Sequence, residues 1–264
     1  MDVAILTENL TKVFGDGKGS HSIKAVDNLN LVVHRGTFFG FVGPNGAGKT
    51  TTVNMLTGLL RPTSGRIEIL GMDFERHSIE IKRRIGVVPE GLNLYEQLTG
   101  EEYLYFVGRM YGLPRREVRN RSEELFSLMG MEEVRRRFVY EYSSGMRKKL
   151  ALSAALIHDP GVLFLDEPFE GIDVLTLRTI RNILTKMVEK GRTIFLTSHI
   201  LEVVERLCSE VAIIDRGKIV FTGSSHQIRE RIEEMGEEPS HPLEALFFQL
   251  VAKDEEEKSL SWLR

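Results

Sequence analysis

The residues with the clearest potential for chemistry lie at positions 43–51, between a strand-like run, Phe38–Val42, and a helical pattern that begins at Lys49. Glycines at 43, 46 and 48 let the backbone curl so that consecutive N–H groups point at one polyphosphate, in front of the positive end of a helix. Lys49 then reaches the β- and γ-phosphates, and the Thr50 hydroxyl binds Mg²⁺. A glycine-rich surface turn is the alternative. The predicted phosphate-binding residues are Gly43, Pro44, Asn45, Gly46, Ala47, Gly48, Lys49, Thr50 and Thr51.

Two adjacent carboxylates, Asp166 and Glu167, end an apolar strand that starts at Val162. The chain turns after a strand, so both acids can approach a site beside the phosphate-binding loop. Asp166 suits Mg²⁺, and Glu167 suits a general base or a group that orients water in line with a γ-phosphate. An apolar strand followed by Asp-Glu-Pro is also a common strand exit, so this prediction depends on the loop.

A third candidate is the helix start at Ser143, Ser144 and Gly145. A serine and a glycine at the start of a helix make a good anion site, although alone they are also an ordinary helix cap. Their position shortly before the acidic strand favours the functional interpretation.

Short apolar runs alternate with helical patterns, which predicts an α/β fold with a largely parallel sheet. An alternating pair, Val3–Phe14 and Ile23–His34, predicts an N-terminal antiparallel β subdomain. Residues from about 93 to 156 are predicted to form a helical insert, with a capping box at Thr99 and a second helix opened by Pro114. We predict one domain over residues 1–223 and a small C-terminal helical appendage over 224–264. The strands predicted for the parallel sheet are 38–42, 85–88, 162–166, 193–197 and 211–215, with a hairpin partner at 219–221.

Composition narrows the possible partners and location. The chain has 264 residues, 42% of them hydrophobic and 28% charged, as in a soluble globular protein. The formal net charge of −3 gives no overall attraction to nucleic acid, so no nucleic-acid partner is expected. Cys208 is the only cysteine, which excludes an internal disulfide and fits a reducing compartment. With no apolar run approaching about 18 residues and no signal-peptide pattern, a cytoplasmic location is expected.

The order of the phosphate-binding loop, the helix start at Ser143 and the acidic strand resembles the ATP-binding cassette (ABC) ATPases, over about residues 6–223. The resemblance implies a P-loop NTPase (RecA-like) core that binds ATP, with Mg²⁺ held by Thr50, Glu90 and Asp166. It implies that Glu167, His199 and Lys49 act in hydrolysis. His199 could instead be a structural or merely exposed histidine, and Glu90 could be an exposed loop acid without a metal.

The resemblance also implies a head-to-tail dimer. Ser143 and Gly145 would contact the ATP held by a second subunit, and Asp173 would lie at the interface. Phe14 stands where the family has an aromatic residue that stacks on adenine, although a hydrophobic residue of the antiparallel sheet is the alternative.

Several departures from the common family pattern resemble one branch of the family. Tyr142, Ser144 and Met146 replace the leucine, first glycine and glutamine of the usual signature, and Glu90 stands where a glutamine is usual. Together with the segment 199–208, these residues resemble export-type ATPases that power drug, ion or polysaccharide efflux. A thioether cannot make the hydrogen bond of the glutamine that it replaces.

The resemblance therefore implies an ATPase that drives transport, in the export direction, through a transmembrane permease in a separate chain. The cassettes would pair as a homodimer, or as a heterodimer with a related ATPase, on the inner face of the cell membrane. The alternative is a soluble single-cassette ATPase without a transport role, as in iron–sulfur cluster assembly. A phosphate-loop kinase would leave the Ser143 signature and His199 unexplained.

Overall fold

The computed structural model describes residues 2–15, 22–169, 171–233 and 240–251. Within these ranges the chain forms two β-sheets and nine α-helices. The strands are β1 (Val3–Phe14), β2 (Ile23–His34), β3 (Phe38–Val42), β4 (Ser64–Ile69), β5 (Met72–Asp73), β6 (Ile85–Val88), β7 (Val162–Asp166), β8 (Thr193–Ser198), β9 (Glu210–Asp215) and β10 (Lys218–Ser224). The helices are α1 (Lys49–Leu56), α2 (Phe74–Arg84), α3 (Gly100–Met110), α4 (Arg115–Leu128), α5 (Ser144–Leu156), α6 (Val174–Glu189), α7 (Leu201–Leu207), α8 (Ser225–Glu233) and α9 (Pro242–Val251).

The first sheet is antiparallel and has the strand order β2-β1-β4-β5. Strand β2 shows why the sequence folds this way: Leu29, Leu31 and Val33 are buried, while Asn30 and Val32 between them are exposed. This alternation places one face on the core and the other in water. The predicted antiparallel subdomain is confirmed, whereas β4, β5 and the following α2 were not predicted.

The second sheet has the order β10-β9-β3-β8-β7-β6, in which β10 and β9 form an antiparallel hairpin and the other pairs are parallel. Strands β3, β7 and β8 are buried along their whole length because elements cover both faces of this sheet. The predicted largely parallel sheet is confirmed, with β8 and β9 each one residue longer and β10 four residues longer than expected. In parallel strands all carboxyl ends lie at one edge, so the segments after β3, β6, β7 and β8 meet there.

The predicted helical insert contains α3, α4 and α5. Thr99 caps α3 as expected: its Oγ1 accepts a hydrogen bond from Glu102 N at 3.2 Å, and Glu102 Oε2 accepts one from Thr99 N at 2.9 Å. Pro114 is the N-cap of α4, also as predicted. Leu104 and Leu150 of the insert belong to the same hydrophobic cluster as Leu163 and Leu165 of β7, so helices and sheet share one core.

The two C-terminal helices pack onto this core. Ile228 and Ile232 of α8 and Leu243 and Leu246 of α9 are buried, and Leu243 N donates a hydrogen bond to Glu205 Oε1 of α7 at 3.3 Å. The described parts of the predicted appendage, residues 224–233 and 240–251, therefore pack on the main core, whereas its bounds as a separate unit stay a prediction. Its acidic cluster at 254–257 lies outside the described residues. None of the helices in the described ranges is a candidate membrane span.

Candidate active site

The phosphate-binding loop connects β3 to α1 at the carboxyl edge of the parallel sheet. Gly48 is the N-cap of α1 with a φ of 106°, and Lys49 Nζ donates hydrogen bonds to the carbonyl oxygens of Gly43 at 2.8 Å and Pro44 at 3.2 Å. Ala47 is buried beneath the loop, and its N–H donates to the Pro44 carbonyl at 3.2 Å. The start of α1 lines a cleft, and the first N–H groups of a helix have no partner within the helix, so this end of α1 suits an anion.

The loop forms one wall of a cleft of about 300 Å³. Six of the predicted phosphate-binding residues line this cleft, together with two of the predicted acids. Gly43, Pro44 and Ala47 support the loop without lining the cleft. Ala25 of β2, which the sequence analysis missed, also lines it. The lining residues are Ala25, Asn45, Gly46, Gly48, Lys49, Thr50, Thr51, Glu90 and Glu167.

Three predicted metal ligands meet beside the start of α1. The Thr50 hydroxyl donates a hydrogen bond to Glu90 Oε2 at 3.3 Å, and both residues line a neighbouring groove together with Asp166. Asp166 is only 2% exposed. Burial raises the pKa of its carboxyl group, and the repulsion of Glu90 adds to the shift, while hydrogen bonds from Thr197 and Thr50 oppose it.

These oxygen atoms fit a magnesium ion. Mg²⁺ binds hard oxygen ligands, retains several waters and uses few protein carboxylates when it is bound to a nucleotide. A hydroxyl group, an exposed carboxylate and a buried carboxylate supply that chemistry. The described part of the chain contains no group of three or more His, Cys, Asp or Glu residues arranged to hold a metal.

The positive charge of Lys49 lies close to this acidic set. Burial lowers the pKa of its ammonium group, while Glu167, Asp166 and Glu90 act in the opposite direction. The three acids thus stabilise the charged form of a lysine that is only 7% exposed. A cation held in this position faces the cleft where the phosphates are predicted.

Glu167 and His199, which are 32 residues apart, are in direct contact. His199 Nδ1 and Glu167 Oε2 are separated by 2.9 Å, with His199 half exposed and the Glu167 side chain mostly buried. The backbone of Glu167 has a φ of 48°, in the left-handed region that non-glycine residues seldom adopt. This turn directs the side chain back toward the loop. The structure thus brings both predicted residues together, and their proximity to a γ-phosphate stays a prediction.

The helix start at Ser143 lies outside this cleft. Ser143 Oγ accepts a hydrogen bond from Met146 N at 3.2 Å and caps α5. Lys149, further along α5, forms an ion pair of 3.5 Å with Asp173, which caps α6. Hydrogen bonds from Thr176, followed by the charge of Lys149, lower the pKa of Asp173 to about 2. Gly145 packs against the same connection: a Cβ atom there would lie 3.1 Å from the Gly171 carbonyl oxygen.

Phe14 ends β1 and is 43% exposed. The ammonium group of Lys12 lies 5.2 Å from the centroid of its ring, and Phe14 does not line the loop cleft. An exposed aromatic face of this kind is available for stacking, so its contact with adenine stays a prediction.

The comparisons with known proteins identify the family. Residues 26–170, more than half of the chain, match the family described as ABC transporter. The chain belongs to the ABC transporter family. The cassette is 38% identical over 209 residues to the ABC transporter ATP-binding protein NatA of Bacillus subtilis, covering 79% of this chain and 85% of NatA. It is 39% identical to the bacitracin transport ATP-binding protein BcrA of Bacillus licheniformis, covering 83% of this chain and 69% of BcrA.

A solved structure gives the same result for the fold. The cassette MJ0796, described as a dimer in a post-hydrolysis state with ADP and Pi, superposes with a TM-score of 0.77 at 25% identity, covering 84% of this chain and 98% of MJ0796. The predicted α/β cassette and ATPase activity are thereby confirmed. The chain is an ATP-binding and ATP-hydrolysing subunit of an ABC transporter, and the soluble non-transport alternative is not favoured.

Asp166→Asn is expected to stabilise the nucleotide-free cassette at neutral pH while abolishing Mg²⁺-dependent hydrolysis. Because the pKa of Asp166 is higher in the folded than in the unfolded protein, protonation of its carboxyl group stabilises the fold. This stabilisation is complete below the ordinary pKa of 3.8 and is lost as the pH rises through the folded-state value. Asparagine carries no charge to bury. We expect a melting temperature about 2–4 °C above that of the wild type at pH 7, with the difference shrinking toward pH 4, as measured by thermal unfolding.

Asp27→Asn is the matched control for this prediction. Hydrogen bonding to Lys24, together with Lys218, lowers the pKa of Asp27. The charged carboxylate of Asp27 therefore stabilises the fold, and this stabilisation is present above its ordinary pKa. The melting temperature of the control variant should therefore not exceed that of the wild type at pH 7. Equal melting temperatures for wild type and Asp166→Asn across this pH range would contradict the burial argument.

Proposed function

We propose that this cassette powers export through a transmembrane permease in a separate chain, as one member of an ATP-closed dimer at the inner face of the cell membrane. The observation that carries the proposal is the meeting of Lys49, Glu90, Asp166, Glu167 and His199 around the loop cleft. The export direction is supported by the Ser-X-Gly-Met signature and Glu90, and by similarity to a bacitracin transport protein.

In the proposed mechanism Glu167 acts on water. Its carboxylate accepts a proton from a water molecule, or orients that water in line with the γ-phosphate. The 2.9 Å contact with His199 fixes the carboxylate and brings the imidazole to the same phosphoryl group. Lys49 stabilises negative charge on the transferred phosphoryl oxygens. Mg²⁺, when bound by Thr50, Glu90 and Asp166, supplies further positive charge to those oxygens.

The proposed dimer places the start of α5 against the nucleotide of the other subunit. Ser143 caps this helix and is exposed, and Gly145 adds no side chain that would block a close approach. The Lys149–Asp173 ion pair ties α5 to the start of α6, so a movement of α5 on closure is transmitted to the segment after the acidic strand. ATP would thereby join two copies, and hydrolysis would release them. A homodimer and a heterodimer both fit this geometry.

The proposed permease contact is the groove between the sheet edge and the helical insert. This groove has a volume of about 570 Å³ and includes Glu90 and residues 91–94 in its lining. Three exposed hydrophobic side chains follow at positions 95–110: Tyr95 is 57% exposed, Phe106 39% and Met110 71%, and the rings of Tyr95 and Phe106 are in contact with centroids 5.3 Å apart. Exposed apolar groups that cluster in this way are typical of protein interaction sites.

Substitution of Tyr95, Phe106 and Met110 by alanine is expected to lower transport at least about tenfold while leaving basal ATP hydrolysis within about twofold, because the substitutions remove apolar contact area without reaching the cleft. The control is Ile79→Ala on α2, an apolar residue that is 71% exposed, as Met110 is. Transport in vesicles and ATPase activity of the isolated cassette are the two measurements. Unchanged transport in the triple variant would place the permease contact elsewhere.

The first test of the proposal is a pull-down of tagged Glu167→Gln cassette from detergent-solubilised native cells, with and without MgATP, followed by mass spectrometry. We expect a polytopic membrane protein in the captured material, because the chain belongs to the ABC transporter family and is similar to the bacitracin transport ATP-binding protein. Capture of soluble proteins alone would contradict the permease partner and leave the ATPase assignment intact.

A further inference from the structure

A single hydroxyl group in β8 connects the two acids of the site. Thr197 lies opposite Asp166 in the parallel pairing of β7 with β8, and it is fully buried. Its Oγ1 donates a hydrogen bond to Asp166 Oδ1 and accepts one from the backbone N–H of Glu167 at 3.3 Å. The Thr197 carbonyl oxygen accepts from the same N–H at 3.2 Å. One residue thus contacts the side chain of one acid and the main chain of the other.

Both acids need this support. Asp166 is buried away from water, so each oxygen that lacks a donor raises the cost of its negative charge. Glu167 has a left-handed backbone with a φ of 48°, a conformation that persists only where the surrounding structure fixes it. The bifurcated bond from Glu167 N to Thr197 is placed where it can hold that turn.

The same strand end also directs His199. Ser198 Oγ accepts a hydrogen bond from Ile200 N at 3.0 Å, which turns the chain immediately after β8. His199, between them, then meets Glu167 Oε2. The orientation of Asp166, Glu167 and His199 is therefore set within three consecutive residues of β8 and its exit.

We propose that Thr197 is a positioning residue for ATP hydrolysis, whose hydroxyl orients Asp166 toward bound Mg²⁺ and fixes the main chain from which Glu167 projects. This inference rests on the roles of Asp166 and Glu167 given under the proposed function. Hydrogen-bond partners of metal-ligating carboxylates typically change metal affinity or activity by about 10–100-fold when they are removed. A threonine that only fills a buried strand position would have no such effect.

The test compares three variants of β8. Thr197→Val keeps the shape and the β-branch and removes the hydroxyl, whereas Thr197→Ser keeps the hydroxyl and removes a methyl group. Thr193→Val is the matched control, because Thr193 is equally buried in the same strand and its Oγ1 accepts a hydrogen bond from Gly36 N at 3.2 Å, at the far end from the site. The Thr193→Val substitution removes a buried hydroxyl group that contacts neither Asp166 nor Glu167.

We expect Thr197→Val to lower kcat by about 10–100-fold and to raise KM for MgATP, because weaker coordination of Mg²⁺ also weakens nucleotide binding. Thr197→Ser should stay within about threefold of the wild type, and Thr193→Val should retain full kcat. A binding measurement gives a readout that is independent of turnover. Calorimetry with a non-hydrolysable ATP analogue should show that added Mg²⁺ tightens binding less in Thr197→Val than in Thr197→Ser, with equal affinities when Mg²⁺ is absent.

Wild-type kcat in Thr197→Val, or equal losses in the valine and serine variants, would overturn the inference. If the valine variant does not fold, Thr197→Cys, which keeps a weak donor of similar size, replaces it and should give an intermediate kcat. Asp166→Asn and Glu167→Gln are measured alongside. Normal hydrolysis in those two variants would contradict the proposed site itself, whereas their failure beside an active Thr197→Val would contradict only the role of Thr197.

Discussion

Glu167→Gln is expected to slow ATP hydrolysis by about 10²–10⁴-fold, the usual contribution of a general base, while ATP binding persists. Glutamine keeps the size of the side chain but cannot accept the proton of the attacking water. It also replaces the carboxylate that His199 Nδ1 contacts at 2.9 Å, so the imidazole loses its charged partner. Because the phosphate-binding loop is unchanged, the ATP-bound dimer should accumulate.

Single-turnover hydrolysis measures the first effect, and light scattering after size exclusion with MgATP measures the second. Glu202→Gln is the matched control, since Glu202 lies on α7, pairs with Arg206 and does not line the cleft. It should hydrolyse ATP at the wild-type rate and show no excess of dimer. Near-normal turnover in Glu167→Gln would remove this residue from the catalytic role.

Gly48→Ala is expected to weaken ATP binding by at least about 100-fold and to destabilise the fold by about 2–4 kcal/mol. Gly48 has a φ of 106°, which an alanine adopts only with strain, and a Cβ atom there would lie 2.4 Å from the Ala25 carbonyl oxygen. Either the loop or β2 must shift. Both line the cleft, so the N–H groups at the start of α1 lose their alignment.

Gly46→Ala separates backbone strain from the steric clash. Gly46 also has a positive φ, 79°, but a Cβ atom there would meet no other atom within 4 Å. We expect a smaller loss of about 1–2 kcal/mol and a correspondingly smaller loss of affinity. Fluorescent nucleotide binding and chemical unfolding of both variants check the difference. Equal effects of the two substitutions would contradict the role of the contact between the loop and β2.

Local features of this protein follow closely from its sequence. The loop at 43–50, the capping box at Thr99 and the cap at Ser143 each depend on residues within a few positions of one another, and the structure contains all three. The buried strands of the parallel sheet could be predicted for the same reason, since continuous apolar runs bounded by turns mark them. Strand β4 could not, because its Ser-Gly-Arg start lacks a clear alternation.

The sequence pattern could not predict contacts between residues that are distant along the chain. The spacing of Thr50 and Glu90 does not indicate that their oxygens lie 3.3 Å apart, and the spacing of Lys149 and Asp173 does not indicate that they form an ion pair. The place of Ala25 in the cleft depends on how β2 packs beside the loop. Thr197 belongs to a segment that the sequence marked as functional, yet its link to Asp166 depends on the register of two strands.

The phosphate-binding loop, the α/β fold and the family follow from the sequence, because short motifs and the periodicity of apolar residues specify them. Which side chains meet at the site depends on the tertiary fold. Parallel strands bring their carboxyl ends to one edge whatever their distance along the chain, so Glu90, Glu167 and His199 converge there. Register between those strands, which side-chain packing on both faces fixes, then selects the individual contacts.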